Sequence, residues 1–140
     1  MELTDALDFA RTTRQSVLIT TRGDGRPQLS NVWHHVGDDG LIRVSITATR
    51  AKYRNLARDP WAAFHVTTPD FNAYAVLEGE VTLTPVAAAP DDATVDALVA
   101  HSRTIVGDHD DWDEFRAAQI DQQRVLVSFA ASRAYGMLPG

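Results

Sequence analysis

The segment Ser16-Val17-Leu18-Ile19-Thr20-Thr21, followed by Arg22-Gly23-Asp24-Gly25-Arg26-Pro27, does most to decide the fold of this chain. Its first half is rich in β-branched residues and predicts a β-strand. The Asp-Gly pair in its second half is a strong signal for a hairpin turn. Residues 28–36 form the predicted returning strand, so the chain is expected to begin its sheet with an antiparallel pair.

The pattern of strands and tight turns continues beyond this hairpin. After a turn at residues 37–40, further strands are predicted over residues 41–47, 61–68, 73–84 and 123–130. Gly79 marks a bulge or kink in the long fifth strand, residues 73–84, and residues 132–140 are predicted as an extended tail. Short connections favour pairing between neighbours. The pattern therefore predicts a mainly β, α+β protein built on an antiparallel barrel, closed or half-open, of five to six strands with flanking helices.

Helical segments are predicted at four places. The first runs from Ala6 to about Thr13 after a Thr4-Asp5 cap, and the second covers the segment around residues 50–58 and ends before Pro60. The third starts at Asp91-Asp92 and reaches about Val106. The fourth carries Trp112 and Phe115, with Asp110 or Asp111 as its cap, because Asp111 and Glu114 have the spacing of a capping box.

Length and composition indicate one ordinary globular domain over residues 1–140. The net charge of −6 and the pI near 5.2 argue against general nucleic-acid binding. No apolar run is long enough for a membrane span, and the acidic N-terminus is unlike a signal peptide. The chain has no cysteine, which excludes disulfides and thiolate chemistry. A cytoplasmic protein with no nucleic-acid or membrane partner is the expectation.

The most unusual segment is Ala48–Arg58, which places four positive charges in nine residues, at Arg50, Lys52, Arg54 and Arg58. No Asp or Glu occurs between Leu41 and Arg58. Like charges four residues apart on a helix repel each other, and cations in the first turn oppose the helix dipole. A bound anion such as a phosphate would relieve both penalties. The alternative that stays open is a solvated basic helix face.

Other clusters are less informative. His34 and His35 are neighbours on a predicted strand, so they point to opposite faces, and no metal site is expected. No catalytic triad or Gly-rich nucleotide motif occurs, and no catalytic side chain is identified. Gln28 and Ser30 offer an amide and a hydroxyl along one strand. These groups could bind the edge of a heteroaromatic ring, or they could simply face solvent.

Three stretches together resemble a known family. They are Asp24-Gly25-Arg26-Pro27-Gln28-Leu29-Ser30-Asn31-Val32, then Val44-Ser45-Ile46, then Arg50-Ala51-Lys52 with Arg54-Asn55-Leu56 and Arg58-Asp59-Pro60. They are similar to the pyridoxamine-5′-phosphate-oxidase-like, flavin-binding split-barrel superfamily. Within it, the chain resembles the actinobacterial branch that depends on the deazaflavin coenzyme F420. The sequence Ala73-Tyr74-Ala75-Val76 with Glu78-Gly79, the run Ala88–Asp92 and the pair Tyr135-Gly136 also fit that branch.

The resemblance implies a homodimer of six-stranded Greek-key split barrels with the cofactor in a groove at the interface. It implies that Arg50, Lys52, Arg54 and Asn55 face the cofactor phosphate and its anionic tail. It also implies that the ring is lined by Gln28, Ser30, Asn31 and Val32, and that Tyr74 closes the pocket, from the other subunit. The expected activity is F420-dependent hydride transfer to a small conjugated acceptor. The alternatives are an FMN-dependent oxidase or reductase and a non-catalytic F420-binding or carrier protein.

Overall fold

Seven β-strands and four α-helices make up the computed structural model, which describes Met1–Gly140. The strands are β1 (Gln15–Thr21), β2 (Pro27–Trp33), β3 (His35–Val36), β4 (Ile42–Thr47), β5 (Trp61–Thr67), β6 (Tyr74–Leu83) and β7 (Arg124–Met137). The helices are α1 (Leu3–Ala10), α2 (Ala51–Arg58), α3 (Ala93–Ile105) and α4 (Trp112–Asp121). All strands belong to one antiparallel sheet in the order β2-β1-β5-β6-β7-β4-β3.

The first hairpin forms as predicted. β1 and β2 pair antiparallel with Leu18 opposite Ser30. The turn is closed by the Arg22 amide, which donates to the Arg26 carbonyl at 2.8 Å. Gly25 has a φ of +87°, a value that glycine adopts without steric cost. The Asp-Gly signal therefore predicts the position of this turn correctly.

The returning strand predicted over residues 28–36 is confirmed as far as Trp33, but it is not one continuous strand, because the chain breaks it at His34. The His34 amide donates to the Arg14 carbonyl at 2.8 Å. The buried His34 ring is held between the Ser16 hydroxyl, 2.8 Å from Nδ1, and the Ala10 carbonyl, 2.9 Å from Nε2. These bonds pull His34 out of the ladder and divide the segment into β2 and β3. The sheet consequently has seven strands, where the resemblance implied six.

This break explains the curvature of the sheet. β2 and β3 lie at opposite edges of the sheet order, although only His34 separates them along the chain. A single connecting residue keeps the two edges close in space, so the sheet has to curl back on itself. The result is a half-barrel, which agrees with the closed or half-open barrel predicted from the sequence.

The C-terminal segment, predicted as an extended tail, is a strand for most of its length. β7 continues through residues 131–137 and pairs with the first half of β6, with Met137 opposite Tyr74. The predicted end of the last strand at Ala130 is therefore wrong. The bulge predicted at Gly79 is confirmed, since the β6–β7 register shifts between Glu78 and Gly79.

Inside the half-barrel, Phe64 and Phe129 pack edge to face with ring centroids 4.8 Å apart, and α1 packs its buried side on the same core. α1 starts earlier than predicted, after Glu2, and it has no side-chain cap from Thr4 or Asp5. α3 and α4 pack against β7 and form a second, smaller core. No helix has the length and apolar character needed to span a membrane.

Candidate functional site

A groove of about 470 Å³ lies where β4 ends and α2 begins. Its walls come from the end of β2, the end of β4, the start of α2, the start of β7 and the second half of α3. The lining residues are Asn31, Val32, Trp33, Ser45, Ile46, Thr47, Arg50, Lys52, His101, Ile105 and Arg124. We call it the basic groove, because its charged side chains are arginine and lysine.

The pairing of β4 with β7 brings these cations together. Thr47 lies opposite Arg124 in the β-ladder, and Arg50 follows Thr47 by three residues. The Arg124 Nε donates to the Gln122 side-chain oxygen at 2.9 Å, which leaves the rest of its guanidinium beside Ser45. The basic groove therefore combines charges from two segments that are far apart in the sequence.

The cations of the basic groove have no acidic partner in the protein. The four salt bridges in the structure involve Arg11, Arg43, Arg116 and Arg133. Burial lowers the pKa of Lys52, and the nearby Arg50 and Arg124 lower it further. Burial also lowers the pKa of Arg124, with Arg50 as the second cause. These pKa shifts have the direction expected when cations are brought together without an anion.

The start of α2 adds backbone donors to this surface. Arg50 is the N-cap residue, has an extended backbone and makes no side-chain capping bond. The first turn of α2 contains no acidic residue. The first backbone N–H groups of a helix have no intrahelical partner, and they attract an anion. Helix geometry and side-chain charge therefore favour the same kind of ligand.

A second cavity of about 430 Å³ borders the same end of β2, beside β1 and β5. It shares Asn31, Val32 and Trp33 with the basic groove, but no arginine or lysine lines it. Trp33 is 61% exposed. The predicted site residue Tyr74 does not line either cavity. Its ring lies 5.8 Å from the ring of His65, which does line the second cavity.

Three other predicted site residues lie in an internal hydrogen-bond network. The Asn55 amide donates to the Thr20 hydroxyl at 3.1 Å, and that hydroxyl donates to the Gln28 side-chain oxygen at 3.1 Å. The Gln28 Nε2 then donates to the Ser30 hydroxyl at 2.9 Å. Asn55 is only 6% exposed, and its oxygen accepts a bond from Arg58 at 3.1 Å. These contacts tie α2 to β1 and β2, beside the basic groove.

The structure thus brings four of the predicted residues, Asn31, Val32, Arg50 and Lys52, to the basic groove. Arg54 is exposed and donates to the Thr49 carbonyl at 2.9 Å, outside the groove lining. Whether any of the nine predicted residues contacts a cofactor stays a prediction.

Seven lining residues of the basic groove were not predicted as site residues, and Arg124 and His101 are the two among them with a titratable side chain. Nothing around Arg124 in the sequence indicates that it lies beside Arg50, because that contact depends on the β4–β7 register. His101 had a usable signal. It lies three residues after Leu98, on the side of α3 that should be apolar, so a polar histidine at this position stands out in the sequence. No group of three or more His, Asp or Glu side chains is arranged in the structure so that it could hold a metal ion.

The amino-acid sequence from residue 3 to residue 138 matches the family model described as pyridoxamine 5′-phosphate oxidase. The chain belongs to this family. The match covers nearly the whole chain and agrees with the half-barrel fold and with the flavin-binding split-barrel superfamily that the sequence motifs resemble. The pyridoxamine 5′-phosphate oxidase family includes oxidoreductases.

Solved structures support the same fold. A conserved hypothetical protein, Rv2991 from Mycobacterium tuberculosis, is 25% identical with a TM-score of 0.73, and the match covers 100% of this chain and 90% of that protein. An F420 reductase is 24% identical with a TM-score of 0.69, covering 91% and 94%. The heme storage protein HutZ from Vibrio cholerae is 15% identical with a TM-score of 0.69, covering 98% and 96%. The last two similarities concern the fold alone.

Proposed function

We propose that this protein is an oxidoreductase that uses the deazaflavin coenzyme F420 to reduce a small conjugated acceptor. The observation that carries the proposal is the basic groove, where Arg50, Lys52 and Arg124 converge without a carboxylate in a protein of net charge −6. The tail of this coenzyme joins a phosphodiester to glutamate carboxylates. Such a polyanion would offset the repulsion among the three cations.

The side chains of the basic groove suit a phosphate-bearing tail. The Lys52 ammonium is a compact charge with three donors, and the Arg50 and Arg124 guanidinium groups are planar forks that match phosphate oxygens. The uncapped backbone N–H groups at the start of α2 add donors without adding charge. The donor set therefore fits an extended anionic ligand better than a neutral one.

We place the coenzyme ring beside Asn31, Val32 and Trp33. These residues separate the basic groove from the second cavity, which has no arginine or lysine. A ring at this wall would have its charged tail on one side and an uncharged cavity for the acceptor on the other. The Asn31 amide can both donate to and accept from the polar edge of a heteroaromatic ring.

In this proposal the bound coenzyme supplies the hydride chemistry. The protein contributes binding through Arg50 and Lys52, orientation through the β2 wall, and exclusion of water. This division of roles explains why the sequence needs no nucleophile or triad. An F420 reductase has the same fold, so the fold is compatible with the proposed chemistry.

We also propose that a second copy of the chain covers the second cavity. The outer face of the sheet exposes large apolar side chains that a monomer would leave in water, namely Leu29, Trp33, Tyr74, Tyr135 and Met137. Covering this face would shield the acceptor from solvent and bring a partner residue to each site. Light scattering of the purified protein at micromolar concentration is expected to give the mass of a dimer, and a monomer would contradict this part of the proposal.

The proposal is tested by titrating the purified protein separately with F420, FMN and heme. We expect F420 to bind at micromolar concentration and more tightly than FMN. The reduced F420 complex should then be reoxidised rapidly by at least one acceptor in a panel of conjugated compounds. Binding of FMN alone would replace the proposal with an FMN-dependent oxidoreductase. Tight binding of heme alone, or of F420 with no reoxidation by any acceptor, would indicate a binding or carrier protein.

A further inference from the structure

His101 on α3 is a buried polar side chain without a partner. It is 6% exposed, and neither ring nitrogen makes a hydrogen bond in the structure. No other buried side-chain nitrogen or oxygen is left unpaired. Most buried polar groups in proteins are hydrogen-bonded, and an unpaired one destabilises the folded state. An imidazole left in this position needs a partner from outside the chain.

Each of the three cavities that His101 lines contains at least one arginine, although Arg43 is already paired with Asp39. His101 lines the basic groove, a cavity beside α4 that contains Arg124, and a cavity against β3 and β4 that contains His35 and Arg43. No Asp or Glu lines any of these three cavities. These surroundings favour an anionic partner over a cationic one.

His101 can serve such an anion as an uncharged donor. Burial lowers the pKa of His101 to about 4, with smaller contributions from His35 and Arg43. The ring is therefore neutral at pH 7, with one N–H donor and one acceptor nitrogen. A neutral donor adds a directional bond without further repulsion toward Arg124.

We propose that His101 donates a ring N–H to an anionic phosphate-ester oxygen of the ligand that binds in the basic groove. The ring already lines the groove, and rotation about its Cβ–Cγ bond would turn a nitrogen toward the ligand. α3 thereby becomes a third element of the anion site, together with α2 and β7. The inference rests on the proposed function in that it places the phosphate of the ligand in the same groove.

Two substitutions separate hydrogen bonding from packing. His101→Phe keeps a planar ring but removes both nitrogens, whereas His101→Gln keeps an amide N–H donor. Affinities are measured for F420, FMN and inorganic pyrophosphate. We expect His101→Phe to weaken binding of the phosphate-bearing probes about tenfold, the usual effect of one hydrogen bond to a charged group. His101→Gln should stay within about threefold of the unsubstituted protein. Thermal unfolding of each variant verifies that the fold is intact.

A second readout detects the bond itself. The chain has five histidines, so the ring ¹⁵N signals of labelled protein can be assigned by comparison with His101→Phe. Adding a probe should move one His101 nitrogen signal in the direction of a stronger N–H hydrogen bond. A purely structural role for His101 would leave this signal unchanged.

The outcomes are distinguishable. If F420 binds and its reduced complex is reoxidised, but His101→Phe binds F420 equally well and the ¹⁵N signals stay fixed, this inference is wrong and the proposed function stands. If pyrophosphate alone binds and depends on His101, the inference holds and the proposed coenzyme is wrong. If no probe binds to the unsubstituted protein, both are wrong.

Discussion

The start of α2 and the start of α3 carry the same backbone donors but satisfy them differently. At α3, Asp92 is the cap, and its carboxylate accepts from the amides of Val95, Ala88 and Ala89 at 2.7–3.0 Å. At α2, the cap is Arg50, with no side-chain bond and no acid in the first turn. The start of α3 is therefore capped by a carboxylate of the chain, whereas the start of α2 has no such cap and lies beside the cations of the basic groove.

We interpret this difference as one between a structural helix start, at α3, and the proposed ligand-binding start, at α2. The Asp92 carboxylate belongs to the chain itself, so it stabilises the start of α3 whether or not a ligand is bound. The α2 terminus gives up that stabilisation and leaves its donors free for an external anion. Giving α2 an acidic cap should therefore raise stability and weaken ligand binding, and removing the cap of α3 should lower stability.

The largest effect is expected from giving α2 its own acid with Arg50→Asp. This change removes one cation, adds one anion and creates a capping side chain. We expect F420 affinity to fall roughly 300-fold, since a charge-assisted bond is lost and repulsion is added. We expect the free protein to become more stable by about 1 kcal/mol, the usual value of an N-cap. Isothermal titration and thermal unfolding measure the two changes.

The matched control for this variant is Arg26→Asp, the same charge change in the exposed hairpin turn. It should leave both affinity and stability close to those of the unsubstituted protein. A drop in stability for Arg50→Asp, or equal losses of affinity in both variants, would show that α2 does not reserve its start for a ligand.

The pH dependence of stability tests whether His101, the unpaired buried side chain beside the basic groove, is neutral in the folded protein. Its folded-state pKa of about 4 lies below the unfolded value of 6.5, so the unfolded chain takes up the proton first. The free energy of unfolding should therefore fall by roughly 3 kcal/mol as the pH drops from 6.5 to 4. His34, whose pKa burial also lowers, acts in the same direction.

Urea unfolding at several pH values measures this slope, and His101→Phe should flatten it. The carboxyl group of Asp92, whose pKa is lowered by its backbone bonds, loses its contribution only below pH 3.8, so it does not obscure the window. An unchanged slope in His101→Phe would mean that the imidazole is not held in its neutral form by the fold.

A smaller effect is expected from Lys52→Ala. The loss of one half-buried ammonium should weaken F420 binding about tenfold at low salt. The difference from the unsubstituted protein should shrink at high salt, because charge interactions at an open groove are screened. Arg26→Ala serves as the control of equal charge. Equal affinities of Lys52→Ala and the unsubstituted protein would remove Lys52 from the site.

The smallest change in F420 binding is expected from a substitution at the start of α3. Asp92→Ala leaves three backbone amides without their carboxylate partner and should lower the melting temperature by a few degrees. F420 affinity should stay within about twofold, because the α3 start is separate from the basic groove. A loss of affinity as large as that of Lys52→Ala would show that the two helix starts are coupled.

Local signals in the sequence predict the parts of the fold that depend on local physics. The Asp-Gly turn, the bulge at Gly79 and the Asp111 cap of α4 follow from backbone preferences of a few residues. The break at His34 and the long β7 do not, because they depend on distant partners. His34 leaves its strand for the carbonyls of Arg14 and Ala10, and β7 is extended by its pairing with β6.

The candidate site divides in the same way. Arg50 and Lys52 stand out in the sequence because they lie within one acid-free segment, and both line the basic groove. Asn55 belongs to the same segment, yet its amide is buried against Thr20 and Arg58. Arg124 reaches the groove only through the β4–β7 register, which the sequence pattern does not reveal.

The break at His34 also has a mechanical consequence. The wall residue Trp33 and the first residue of β3 are two peptide units apart, a distance of at most about 7 Å. The backbone through His34 therefore links the two edges of the half-barrel next to Trp33, which lines the basic groove. Non-covalent walls can spread under thermal motion or strain, but this one is limited by bond lengths. We therefore expect the β2 side of the basic groove to move less than the sides formed by α2 and α3.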